Sequence, residues 1–152
     1  MKPYTVSVDI DLPRERVLEL FDDVDNLYKW QTGLQSVEHL SGEPGQVGSQ
    51  MKMVYLNGKH RMELIETITK RDLPDEFNGT YEWGGGCNTL DNRFIELGPD
   101  KTRWESTCAY ELRKLPLRIM GFLVPGMFRK QNQKFLDNFK AFCEEGRDVR
   151  EA

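Results

Sequence analysis

The spacing of apolar residues changes twice along this chain, and each change marks a switch of backbone conformation. Tyr4, Val6, Val8 and Ile10 alternate with Thr5, Ser7 and Asp9, the period of a half-buried strand. Val17, Leu20, Phe21 and Val24 then give one side of a helix, with Pro13 at its first position and Asp11 near the cap. Asp25 is placed to cap a second short helix carrying Leu27, Tyr28 and Trp30, and Gly33 ends the helical part. A strand is expected over Gln35–Leu40, and alternation resumes at Met51, Met53 and Tyr55. Asn57-Gly58 predicts a type I′ hairpin into a longer strand from Arg61 to Lys70.

Phe77, Gly79, Tyr81 and Trp83 share one strand face. Gly84-Gly85-Gly86 reads as a wide, flexible hairpin before a strand over Leu90–Leu97. In the last strand Trp104, Ser106, Cys108, Tyr110 and Leu112 oppose Glu105, Thr107, Ala109 and Glu111. A helix begins after Pro116, with Pro125 breaking or kinking it. Its apolar stripe is almost entirely aromatic: Val124, Phe128, Phe135, Phe139 and Phe142 on one face, Arg129, Lys130, Gln133, Lys134, Asp137, Lys140 and Glu144 on the other. The links between strands are too short for parallel crossovers. The pattern therefore predicts an α+β fold: a curved antiparallel sheet of about seven strands wrapped around a long C-terminal helix, with two short helices after the first strand.

Composition narrows the class. A chain of 152 residues with 38% hydrophobic and 30% charged residues is expected to be one soluble globular domain over residues 1–152. The net charge of −4, with basic residues scattered among acids, argues against nucleic acid as a partner. No apolar leader follows Met1, and the longest apolar run, Ile119 to Phe128, is broken by Gly121, Pro125 and Gly126, so no transmembrane segment is expected. Three cysteines (Cys87, Cys108, Cys143) without C-x-x-C spacing fit reduced thiols and a cytoplasmic location. His39 and His60 stand alone, so neither a metal site nor a cofactor is expected.

Several local runs resemble the START and polyketide-cyclase-like (SRPBCC) superfamily. Pro13-x-x-x-Val17-x-x-x-Phe21, with Asn26 and Trp30, is similar to its entry helices. Ser36-Val37-Glu38-x-Leu40-Ser41-Gly42 with Pro44-Gly45-x-Val47-Gly48 resembles its second strand and turn. Glu63-Leu64-x-Glu66-x-Ile68-Thr69 with Leu73-Pro74 resembles its fourth strand. The resemblance covers roughly residues 3–145. Gln31-Thr32-Gly33 departs from it, where many members place Pro-Gly after the tryptophan. The resemblance implies a helix-grip fold with a deep cavity, in proteins that bind lipids, polyketides, hormones or quinones, a minority of them catalytic.

The candidate cavity is lined by Met51, Met53, Tyr55, Phe77, Tyr81, Trp83, Trp104, Ser106, Cys108 and Tyr110, and roofed by Val124, Phe128, Phe135 and Phe139. The same side chains could interlock as a dry core. The resemblance favours a cavity. Asn132 on the helix stripe, with Tyr81 and Tyr110, is placed to meet a ligand oxygen or to bond within the fold. Glu66 shares a face with Met62, Leu64 and Ile68 and is, with Tyr110, the candidate for proton transfer; Glu82, Glu105 and Glu111 face outward. The expected function is binding of a small hydrophobic molecule of lipid, polyketide or isoprenoid type, by a monomer or homodimer. The alternatives are a polyketide cyclase or dehydratase-like enzyme and a protein-interaction module. The apolar segment around Phe122 and Leu123 could gate the cavity, touch a membrane transiently, form a dimer contact, or pack on the N-terminal helices.

Overall fold

The computed structural model describes residues 2–151. β1 (Tyr4–Ile10) leads through α1 (Arg14–Asp22), a 3-10 turn (Val24–Asn26) and α2 (Leu27–Trp30) into a six-strand meander. The meander comprises β2 (Leu34–Ser41), β3 (Gln50–Asn57), β4 (His60–Asp72), β5 (Glu76–Trp83), β6 (Gly86–Gly98) and β7 (Lys101–Leu112). α3 (Leu115–Leu123) and α4 (Gly126–Glu145) follow. β1 returns beside β7, giving a seven-stranded antiparallel sheet in the order β1-β7-β6-β5-β4-β3-β2. This is the expected α+β helix-grip architecture. Register shifts at Leu34/Ser36, His39/Ser41, Ile68/Lys70 and Glu96/Gly98 add the bends that curl it.

Local chemistry differs from expectation at five places. Pro13 is the residue before α1, which begins at Arg14. Asp25 does not cap α2, which follows Asn26 without a side-chain cap; Asp23 caps the 3-10 turn instead, its carboxylate accepting from the Asp25 amide at 3.0 Å. Gly58, at φ 63°, opens a turn with Lys59 between Asn57 and His60. No described non-glycine residue has positive φ, so glycine at the first central position replaces the type I′ turn. Gly84-Gly85 is a tight two-residue turn and not a wide hairpin, so β6 starts at Gly86. A Cβ on Gly86 would sit 2.1 Å from the Glu111 carbonyl oxygen, which is why only glycine fits there. Finally, Pro125 breaks the C-terminal helix in two. Val124 falls in the break and is exposed, so it does not belong to the α4 stripe. Leu136, absent from the expected stripe, is buried instead.

One end of the grip is closed by rings. Phe21 on α1 meets Phe94 at 4.9 Å, Trp104 at 5.4 Å and Phe77 at 5.6 Å between centroids. Phe139 on α4 meets Trp30 and Trp104 at 5.1 Å each, edge to face, and is wholly buried. Such edge-to-face pairs add about 0.5–1.5 kcal/mol each beyond the area they bury. α4 is steered onto this plug by β1, the strand it runs closest to. Gln133 donates to the Ser7 carbonyl at 3.0 Å and Lys140 donates to the Asp9 carbonyl. Those bonds satisfy an edge strand that would otherwise offer free backbone groups.

Phe139→Ala should lower unfolding free energy by about 3–5 kcal/mol in urea titration, because nothing nearby can collapse into the space of a ring wedged among rings. Gly86→Ala should cost about 1–3 kcal/mol by the same measurement, since the clash is with backbone and not with a side chain that can swing away.

Candidate functional site

Away from the plug the concave face changes character. The strand registers align Tyr110 with Asn88, Asn88 with Tyr81, Tyr81 with Glu66, and Glu66 with Met51. Neighbouring strands are about 4.8 Å apart, so a polar row of roughly 14 Å crosses the inner face from Glu66 to Tyr110. Met51, Tyr81, Trp83, Asn88, Leu90 and Tyr110 point inward from the sheet, yet each is only half-buried, as are Phe128 and Phe135 on α4. Inward-facing side chains that keep contact with solvent mark a cleft between β3–β7 and α4. The plug residues Ile10, Val17, Phe94 and Phe139 mark where it closes.

Two hydrogen-bonded groups sit on this row. In the first, the Tyr81 hydroxyl donates to Glu66 Oε2 at 2.6 Å. Glu66 is buried, and burial raises its pKa above the ordinary carboxylate range, opposed by the bond from Tyr81. Tyr81 and Tyr55 are pushed upward in turn, first by burial and then by the carboxylate charge of Glu66. Tyr55 donates to Gln31 Oε1. Among the described residues the only fully enclosed side-chain nitrogen or oxygen without a partner is Trp30 Nε1. Glu66 Oε1 has no protein hydrogen bond among the described residues and is not fully enclosed.

The second group joins α4 to β1 and β7. Asn132 Nδ2 lies 2.7 Å from the Tyr110 hydroxyl and 3.4 Å from Cys108 Sγ, and also bonds Tyr4. Tyr4 donates to Tyr110 at 3.3 Å, and the Phe128 ring packs tilted against Tyr110 at 4.8 Å between centroids. Burial raises the pKa of Tyr110 and pushes the Cys108 thiol up to about 11, so both are neutral donors at physiological pH. Between the two groups Asn88 accepts from Trp83 Nε1 at 3.2 Å.

The site therefore draws on part of the set expected from the sequence. Met51, Glu66, Tyr81, Trp83, Tyr110, Phe128, Asn132 and Phe135 border the cleft, with Met53, Tyr55, Ser106 and Cys108 buried in its floor. Phe77 is half-buried against Phe21. Trp104 and Phe139 belong to the dry plug, where Trp104 Nε1 donates to Asn92 Oδ1 at 2.9 Å. They are core and not lining. Val124 lies outside the site altogether, on the exposed break between α3 and α4. Asn88, Tyr4 and Gln31 were not anticipated. Asn88 falls in the segment read as a wide loop, and only the register with Tyr81 and Tyr110 reveals it. His39 ends the row at its exposed margin, opposite Met51.

Solved structures show the same fold at low identity. An aromatase/cyclase, ZhuI, from a Streptomyces species superposes with a TM-score of 0.79 at 13% identity, covering 94% of this chain and 93% of that one. A Thermus thermophilus protein gives 0.73 at 20% identity, over 93% and 97%. Truncated norcoclaurine synthase from Thalictrum flavum gives 0.71 at 13% identity, over 95% and 94%. No curated protein matches the sequence. Residues 1–144 match the profile of the family described as polyketide cyclase/dehydrase and lipid transport. With nearly the whole chain inside that profile and its helix-grip sheet in place, the protein belongs to this family.

Proposed function

We propose that the protein binds a small hydrophobic molecule carrying at least two oxygens, laid across the concave face between the sheet and α4. The observation that carries this is the polar row. A dry core would place apolar side chains there, because buried polar groups stabilise a fold only when all their bonds are met. Here Glu66 Oε1 has no protein partner and the row is flanked by Met51, Trp83, Leu90, Phe128 and Phe135, a mostly apolar lining with few polar anchors. Tyr110 and Asn132 at one end and Glu66 with Tyr81 at the other would hold oxygens of the ligand. The family's description and the cyclase and synthase among the similar folds support a ligand of aromatic, polyketide or lipid type, while the fold alone is shared by carriers and enzymes.

A second reading rests on Glu66 itself. A buried carboxyl with a raised pKa, held in place by Tyr81 and with its other oxygen not fully enclosed, has the attributes of a general acid. In a cyclase or dehydratase it would deliver its proton to a departing or enolising oxygen and take one back from water.

Mass spectrometry of an organic extract of the purified protein should find an oxygenated apolar compound at near-stoichiometric amount. Leu90→Trp, which fills the space opposite Gly79, should lose that compound while retaining a cooperative melt. An empty extract together with no uptake of an aromatic fluorescent probe would overturn the binding reading. Glu66→Gln separates the two roles: binding without turnover makes Glu66 an acid, whereas loss of binding makes it an anchor.

Glu66 also predicts a pH dependence. Its folded pKa is raised, so its stabilising contribution is complete below the ordinary carboxylate range and is lost as pH rises through the raised value. Relative to Glu66→Gln, the wild-type protein should lose melting temperature as pH is raised from the ordinary carboxylate range through neutrality. Parallel melting curves across that range would show that Glu66 is solvated in the folded state.

A further inference from the structure

α3 carries its apolar stripe toward water. Leu115, Ile119, Phe122 and Leu123 fall at helical spacing on one face and all are exposed, Phe122 to 84%. Exposed Val124 extends the patch into the break before α4. A helix apolar on every side is ordinarily enclosed. This one turns Leu117 and Gly121 toward the body and leaves the other side uncovered.

Charge around the stripe is equally one-sided. Between Leu112 and Leu136 stand Arg113, Lys114, Arg118, Arg129, Lys130 and Lys134, and no Asp or Glu, although the chain's net charge is −4. The basic residues are therefore not mixed evenly with acids, as composition suggested. Among the described residues only Arg113 of these six is ion-paired, with Glu82 and Glu111. Arg129 lies over the Tyr4 ring at 5.3 Å.

We infer that the α3–α4 elbow docks on an anionic bilayer surface, its stripe entering the acyl boundary and its flanking cations meeting lipid headgroups. Exposed apolar side chains rimmed by Lys and Arg are the two components such docking requires. A second copy of the chain is the poorer occupant, because a symmetric contact sets the same cations against themselves. The elbow also adjoins the cleft. Tyr4, Leu112, Gly121, Phe122, Pro125 and Arg129 line a hollow beside it, and the hydroxyl of that same Tyr4 bonds Asn132 of α4 and Tyr110 of the polar row. Docking would thus bring the cleft to the membrane, where a hydrophobic ligand is dissolved. That last step rests on the proposed ligand site; the docking does not.

Co-sedimentation with phosphatidylcholine vesicles, with and without phosphatidylserine, tests the inference. Binding is expected only with phosphatidylserine and should weaken as salt is raised. Phe122→Asp should weaken it by at least about tenfold. Arg118→Gln with Lys130→Gln should weaken it roughly fivefold for each charge removed. Both sites are exposed, so circular dichroism and melting should match wild type. Leu90→Trp should still sediment, so the cleft and the docking surface can fail separately. No binding to either vesicle would overturn the inference, and so would binding that Phe122→Asp leaves intact. A wild-type dimer that Phe122→Asp converts to monomer, without vesicle binding, would assign the surface to a second copy instead.

Discussion

Phe139 is where the fold is tied together. Its ring, wholly buried, touches Phe21 of α1, Trp30 of α2 and Trp104 of β7, so one side chain of α4 ties the N-terminal helices to the last strand and to the C-terminal helix. The contact is a wedge of rings packed edge to face, with little freedom to relax. It sets the position of α4 at one end, and the side-chain bonds from Gln133 and Lys140 to the β1 carbonyls set its direction. A seven-stranded concave face is wider than one helix. With α4 held along the β1 side, the inner faces of β3 to β6 are left half-covered.

The cleft follows from that geometry, and so does its chemistry. Glu66, Tyr81, Asn88 and Tyr110 lie on adjacent strands at one level of the sheet, beyond the plug. At that level polar groups keep enough contact with water to be tolerated, yet burial still shifts their protonation. The same arrangement serves a carrier that needs fixed hydrogen-bond partners and an enzyme that needs a poised acid. This is why a shared fold leaves the choice between them to the site itself.

A second asymmetry lies at the far end of the same helix. The elbow between α3 and α4 gathers cations and exposed apolar side chains, with no Asp or Glu between Leu112 and Leu136. Pro125 makes this possible by ending α3, so that its apolar side is turned away from the sheet and not laid onto it.

Periodicity determined the strands and the entry helices, and the short links determined the antiparallel pairing of successive strands, because each depends on residues close in the chain; the return of β1 beside β7 does not. Glu66 and Tyr81 could be placed on inward faces by alternation, and Asn132 on the inward side of a helix. Which of those residues meet depends on register and on where α4 lies, and neither is encoded locally. Trp104 and Phe139 have the same apolar pattern as Trp83 and Phe128. They became plug and not lining because Phe21 and Trp30 arrive from α1 and α2. Asn88 was hidden because three glycines read as a loop, whereas close approach to the Glu111 carbonyl folds them into a tight turn. Val124 shared the helical spacing of the aromatic stripe but lies in the break at Pro125. Spacing fixes which face a side chain takes. Only packing decides whether that face is sealed, bordering a cleft, or left in water.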